Sequence, residues 1–292
     1  MWDEKTIESF IEKNKNEKIL LVICGPTASG KTEKAIEIAN FFNTEIISAD
    51  SRQIYKEIPI CTAQPTLKEL NLAKHHLIGT ISVFDNYDVY KFQEEALKIL
   101  EKIFLKNQIA ILCGGTGMYI DAICNGIDNM PSVSFEIRIK LNNYFRENGL
   151  AKLLEKLEKV DPEYFAVVDK NNPRRVIRAL EVFYASGKKF SFFRTGKVAN
   201  RNFKILKLKT EVEKNILHQK IEKRADLMIK NGLIDEISKL IPLKNNSPLN
   251  IIGAKEIIYF LEGKYSLKDA IDSIKINTKR YAKRQITWFK KY

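Results

Sequence analysis

The stretch Ile19-Leu20-Leu21-Val22-Ile23-Cys24-Gly25-Pro26-Thr27-Ala28-Ser29-Gly30-Lys31-Thr32 runs six apolar residues directly into the pattern Gly-x-x-x-x-Gly-Lys-Thr. The apolar run reads as a buried strand and Lys31 to Phe42 as a helix, the setting that a phosphate-binding loop requires. Its glycines let successive backbone N–H groups converge on one anion. Lys31 adds a mobile cation and Thr32 a hydroxyl suited to Mg²⁺. A diphosphate or triphosphate is the expected guest, most simply a nucleotide such as ATP.

Outward from this loop the pattern is α/β. A second strand, Glu45 to Ser48, ends at Ala49-Asp50. A helix over Val89 to Phe104 precedes a third strand, Ile109 to Cys113, which ends at Gly114-Gly115. Strands alternating with helices imply a parallel sheet, so the fold class is a P-loop NTPase-like sheet flanked by helices. Functional groups of such sheets gather beyond the carboxyl ends of the strands. The phosphate loop, Asp50 and the turn Gly114 to Gly117 are therefore expected to share one crevice. From about Ile127 to Arg201 the pattern turns helical, over Glu136 to Arg146, Leu150 to Lys159 and Pro173 to Ala185. This predicts a core of residues 1–126 and 202–292, with an inserted helical subdomain at 127–201. The sheet resumes at Phe203 to Leu208, and long helices close the chain after a polar stretch, Lys244 to Asn250.

Asp50 opens the polar run Asp50-Ser51-Arg52-Gln53-Ile54-Tyr55 at a strand end. Such a carboxylate can hold Mg²⁺, act as a general base or simply cap a turn, and the residues alone leave these open. Thr116 is the one hydroxyl of its glycine-rich turn. In the helical region, Asn172-Pro173-Arg174-Arg175-Val176-Ile177-Arg178 starts a helix that sets Arg174 and Arg178 on one face with Arg175 beside them, a cluster that calls for an anion. Tyr281, Gln285 and Trp288 form one helical stripe, read as packing, while Arg280 and Arg284 form an outward one.

Composition points the same way. The chain has 292 residues and 45% hydrophobic content, enough for a large core plus a second domain. Cys24, Cys61, Cys113 and Cys124 have neither the spacing of a zinc site nor that of a disulfide framework, which suits a reducing cytoplasm. The opening Trp2-Asp3-Glu4-Lys5 lacks the basic head of an export signal, and no apolar run reaches the length of a membrane span. With 49 Lys and Arg against 36 Asp and Glu, the net charge is +13. Lys188 to Lys209 holds eight basic residues and no acidic one, interleaved with Phe190, Phe192, Phe193 and Phe203; Ser273 to Tyr292 holds seven and none. Blocks of this kind can follow a phosphate backbone, so a nucleic acid is the expected partner.

Six segments occur together and in order: the phosphate loop, Asp50 to Lys56, His75-His76-Leu77-Ile78-Gly79, Gly114-Gly115-Thr116-Gly117-Met118-Tyr119-Ile120, Asn172 to Val182, and Tyr281-Ala282-Lys283-Arg284-Gln285. The ordered set resembles the bacterial tRNA dimethylallyltransferases, which prenylate N6 of adenosine 37 beside the anticodon in tRNAs reading codons that begin with U. The resemblance implies dimethylallyl diphosphate as donor, Mg²⁺ as cofactor, the tRNA anticodon arm as partner and a cytoplasmic monomer. It implies that Gly25 to Thr32 cradle the leaving diphosphate, with Thr32 on the metal, and that Asp50, Thr116 and Arg224 act at the reacting centre. It assigns tRNA contacts to Asp50, Ser51, Arg52, Gln53, Thr116, Arg138, Arg174, Arg175, Val176, Ile177, Arg178, Asn250, Gly253 and Lys255, and the basic C-terminal block adds Lys283 and Arg284.

Two departures stand out. Pro59-Ile60-Cys61-Thr62-Ala63-Gln64-Pro65 occupies the place of an Asp-Ile-Gly-Thr-Ala-Lys-Pro pattern, and Ala254 stands where an aromatic Tyr is usual. Both bear on how tRNA fits. The rival readings are a P-loop kinase of small molecules, whose arginine lid the Arg174 to Arg178 cluster would imitate, and a prenyltransferase of free adenine nucleotides. The basic C-terminal block argues against both, since a small acceptor needs no long cationic track.

Overall fold

The computed structural model describes residues 4–244 and 247–292. Trp2 and Asp3 of the opening segment, and Asn245-Asn246 of the polar stretch, lie outside the described residues. The chain divides into two compact units, one of the residues up to Asn125 together with Asn200–Tyr292, the other of Gly126–Ala199.

In the first unit, α1 (Glu4–Lys13) leads to β1 (Ile19–Cys24), α2 (Lys31–Phe41) and β2 (Ile46–Ser48). Short helices α3 (Pro59–Thr62) and α4 (Leu67–Leu72) precede β3 (His75–His76), α5 (Val89–Phe104), β4 (Ile109–Gly114) and α6 (Gly117–Asn125). The sheet order is β3-β2-β4-β1-β5, with β5 at Lys204–Lys209, and every pair is parallel. β1 lies inside the sheet, between β4 and β5, and is buried on both faces, which is why it is an unbroken apolar run rather than an alternation. Ile19, Leu21 and Ile23 pack with Ala35, Ile36 and Ile38 of α2 on one face. Leu20, Val22 and Cys24 join the larger cluster of Phe92, Leu100, Ile120 and Ile257 on the other. At the far edge, β3 is only two polar residues paired with Ile46 and Ile47, too short to show a period. Asp88 caps α5 by accepting from the N–H groups of Tyr90 and Lys91, each at 3.0 Å.

The second unit comprises α7 (Phe135–Val160), α8 (Pro162–Val167), α9 (Pro173–Ser186) and α10 (Phe190–Phe193). Gly149, at φ 74°, breaks α7 into the two stretches read from the sequence. Leu141, Leu153, Leu157, Tyr164, Val176 and Leu180 form its core. Asp161 is fully buried there and satisfied, accepting from the backbone N–H groups of Tyr164 and Ser191 and from the Ser191 hydroxyl at 2.8 to 3.0 Å.

The chain returns to the first unit through Arg201, whose guanidinium donates to the carbonyls of Ala122 and Ile123, both at 2.8 Å. After β5 come α11 (Lys214–Lys230), α12 (Leu233–Ser238), α13 (Ala254–Leu261) and α14 (Leu267–Phe289). A capping box between Ser266 and Asp269 starts α14. No helix among the described residues is long and apolar enough to cross a membrane.

Candidate active site

The phosphate loop, Asp50 and the glycine turn leave the carboxyl ends of β1, β2 and β4, three neighbours in the sheet. The loop needs its unusual residues: Gly25, Ala28 and Gly30 all have positive φ. A Cβ on Gly25 would run into the Thr210 side chain. Thr210 in turn shares a 2.7 Å hydrogen bond with the Ser29 hydroxyl, so the end of β5 braces the loop. Lys31 donates to the Pro26 carbonyl at 2.5 Å. Burial pushes its ammonium down to about 8, against the opposing pull of Cys113 and Asp50.

Asp50 caps the turn that follows β2. Its Oδ1 accepts from the N–H of Arg52 at 2.9 Å and more weakly from that of Gln53 at 3.4 Å, while Oδ2 accepts nothing from the described residues. The same carboxylate favours the charged forms of Lys31 and Arg224 and disfavours that of Tyr281. Thr116 is tied to both neighbours of Asp50. The Thr116 hydroxyl accepts from the Ser51 N–H at 3.0 Å, and its own N–H donates to the Ala49 carbonyl at 3.1 Å. Burial pushes the Tyr281 phenol up to about 12, with Asp50 adding to the shift and a hydrogen bond to the Thr116 side chain opposing it. Gly114 must be glycine, because a Cβ would collide with the Ala49 backbone where the ends of β2 and β4 meet.

Arg224 reaches this crevice from α11 and donates to the Thr62 carbonyl at 3.3 Å. Burial lowers its proton affinity, and Asp50 is the first group to oppose that. Gln53, to which the resemblance gives a tRNA contact, has a structural task as well, donating to the carbonyls of Ala63 at 2.8 Å and Thr62 at 3.4 Å. The departure Gln64 donates to the carbonyls of Gln53 and Tyr55 at 2.8 and 2.7 Å. A lysine there would also donate to carbonyls, so this change preserves the turn that holds Arg224. Cys61 is buried against Gly253, and Ala254 is wholly buried. Burial raises the thiols of Cys24, Cys61 and Cys113, leaving them protonated and chemically quiet.

Residues 53–292 match the IPP transferase family. The chain belongs to the IPP transferase family. It is 47% identical over 272 residues to a tRNA dimethylallyltransferase of Christiangramia forsetii, covering 93% of this chain and 90% of that one. It is 41% identical over 272 residues to tRNA dimethylallyltransferase 1 of Bacteroides thetaiotaomicron, covering 93% and 88%. Among solved structures, a eukaryotic dimethylallyltransferase acting on tRNA superposes with a TM-score of 0.78 at 31% identity, over 93% of this chain and 70% of that one. The full-length tRNA isopentenylpyrophosphate transferase of Bacillus halodurans gives 0.67 at 34%, over 94% and 88%.

The basic residues of the chain are divided unequally between pairing and exposure. In the second unit, Glu181 is buried and lies 3.3 Å from Arg178 and 3.9 Å from Arg138. Arg174 and Arg175 are exposed and pair with no acid among the described residues. Val176 and Ile177, expected among the tRNA contacts, instead bury their side chains in the core of that unit, so they hold the arginines in place. The block Lys188 to Lys209 is shared between the two units, its part up to Ala199 in the second and its part from Asn200 in the first. Phe190 and Phe203 pack into the cores, and Lys189, Lys204 and Lys209 have acidic partners. In the C-terminal block, Lys275, Lys279 and Lys291 pair with Asp226, Glu222 and Asp121. Arg280, Lys283, Arg284 and Lys290 are exposed and have no acidic partner among the described residues. Asn250 and Lys255 are exposed, whereas Gly253 is buried and offers only backbone.

Sequence reasoning passed over Thr210, and it read Gln285 as packing. Gln285 is buried, accepts from the Thr27 N–H at 2.8 Å and donates to the Gly115 carbonyl at 2.9 Å. Its signal in the sequence was a polar residue in an otherwise aromatic stripe.

Proposed function

We propose that this protein transfers a dimethylallyl group from dimethylallyl diphosphate to N6 of adenosine 37 in tRNAs reading codons that begin with U, releasing diphosphate. The observation that carries the reading is a phosphate loop whose Lys31 is electrostatically linked to Asp50, a carboxylate with one oxygen, Oδ2, outside the turn's hydrogen bonds, and to a second buried cation, Arg224. The allylic C–O bond breaks and the electron pair leaves with the diphosphate, while the N6 lone pair forms the new C–N bond. The N6 proton passes to Asp50. Lys31 and Arg224 offset the charge that builds on the leaving group, and no phosphoryl group moves. The adenine leaves its stack to reach the crevice.

For Mg²⁺, the described residues hold no cluster of three or more His, Cys, Asp or Glu side chains. Thr32 is the residue of the loop that would offer the ion a hydroxyl, the rest of its shell being open to diphosphate and water. Bound there, Mg²⁺ would supply Lewis-acid stabilisation of the departing diphosphate. We place the protein in the cytoplasm as a monomer, gripping the anticodon arm; its four cysteines are free and buried, as reducing surroundings allow.

The reading is tested with labelled dimethylallyl diphosphate, Mg²⁺ and an unmodified tRNA transcript. Label should enter adenosine 37, and a transcript carrying guanosine there should remain unlabelled; equal labelling of both would contradict the assignment. Proton linkage gives a further expectation. Diphosphate binds the protonated Lys31, whose proton affinity lies near 8. Pyrophosphate affinity should therefore hold steady below that pH and fall by about tenfold per pH unit above it. Calorimetry showing a flat profile from pH 7 to 9.5 would remove Lys31 from the diphosphate site. Neutralising Lys283 and Arg284 together, both exposed and without an acidic partner among the described residues, should lower the slope of log affinity for RNA against log salt by about 1.4 to 1.8. An unchanged slope would place them off the RNA.

A further inference from the structure

We propose that Gln285 is a positioning residue that sets the diphosphate loop against the acceptor wall formed by Asp50 and Thr116; the proposal rests on the prenyl-transfer reading above. The site has two halves on different strand ends. The diphosphate half follows β1, and the acceptor half follows β2 and β4. Transfer between them depends on their separation, since reacting groups must be held near contact distance and a displacement of about 1 Å can cost on the order of 10²-fold in rate.

Gln285 spans that gap with one carboxamide. Its oxygen accepts from Thr27 in the diphosphate loop, and its nitrogen donates to the carbonyl of Gly115, next to Thr116. The two partners fix which end of the amide is which, because an N–H needs an acceptor and a carbonyl needs a donor. An uncharged carboxamide meets both demands; a carboxylate lacks the donor, and lysine or arginine lacks the acceptor. The turn is shaped to admit it. A Cβ on Gly115 would strike Gln285 Nε2 and sit 3.5 Å from the Gly25 carbonyl, while a Cβ on Gly117 would strike the Trp288 indole. One turn earlier on α14, Tyr281 is close enough to Thr116 and Asp50 for both to act on its phenol. The stripe Tyr281, Gln285 and Trp288 thus lies along Thr116, Gly115 and Gly117, with Gln285 alone reaching across to the phosphate loop.

The test compares the wild type with Gln285→Leu and Gln285→Glu in single-turnover and steady-state transfer from dimethylallyl diphosphate to an anticodon stem-loop RNA, with folding checked by circular dichroism. Gln285→Leu should lower kcat by about 10²-fold, with RNA affinity within about threefold of wild type. Gln285→Glu keeps the acceptor for Thr27 and regains the donor only when protonated. Its activity relative to wild type should therefore be low at pH 8 and climb as pH falls, a signature that mere packing would not give. Wild-type kcat in the Leu variant, a pH-independent Glu ratio, or failure of both variants to fold would overturn the positioning role. Absence of transfer by the wild type itself would instead defeat the functional reading.

Discussion

Asp50→Asn is expected to slow prenyl transfer by a factor on the order of 10² to 10⁴ while leaving pyrophosphate affinity within about threefold of wild type. The asparagine oxygen still accepts from the Arg52 N–H, so the turn capped by Asp50 Oδ1 survives the change. What disappears is the basic oxygen, Oδ2, which the turn does not use. The exocyclic amine is a poor nucleophile because its lone pair is delocalised into the purine, and loss of the proton acceptor is felt in the bond-forming step. Rapid-quench turnover and calorimetric pyrophosphate titration separate the two quantities. A large fall in Mg²⁺-dependent pyrophosphate affinity would recast Asp50 as a metal ligand, and unchanged turnover would leave it as a turn cap only.

Lys31→Met should have the second largest effect, a loss of about 10² to 10³ in kcat/KM. The ammonium is the loop's one side-chain cation and is drawn toward both Asp50 and the loop carbonyl of Pro26. Burial already disfavours its charge, with proton affinity lowered to about 8. The folded state therefore gives up stability to hold that proton at pH 7, a cost that fades as pH rises past 8. The variant should consequently melt at or above the wild-type temperature at pH 7 while transferring prenyl groups poorly. A sharp fall in melting temperature would show that Lys31 is a structural brace for the loop.

Much of this site was legible because its requirements are local. The phosphate loop, the carboxylate at the end of β2 and the glycine turn each need particular residues at particular offsets, and the sheet brings the three to adjacent strand ends. α5 spans Val89–Phe104 as its periodicity indicates, and Gly149 parts two helical stretches as expected. The losses come from contacts between residues distant in sequence. The two-residue β3 exists through its pairing with β2. Val176 and Ile177 sit amid arginines in the sequence but face inward, since a turn of about 100° per residue puts them on one helix face with Ala179 and Leu180. Gln285 stands more than 250 residues from Thr27, and no local pattern announces that bond.

The central claim is that the loop holds a leaving diphosphate for transfer to RNA. It is tested most directly by offering an anticodon stem-loop RNA and AMP, at equal concentration, as competing acceptors of labelled dimethylallyl diphosphate. The account predicts label in the RNA, little in AMP, and pyrophosphate as the released product; label in AMP with none in the RNA would contradict it.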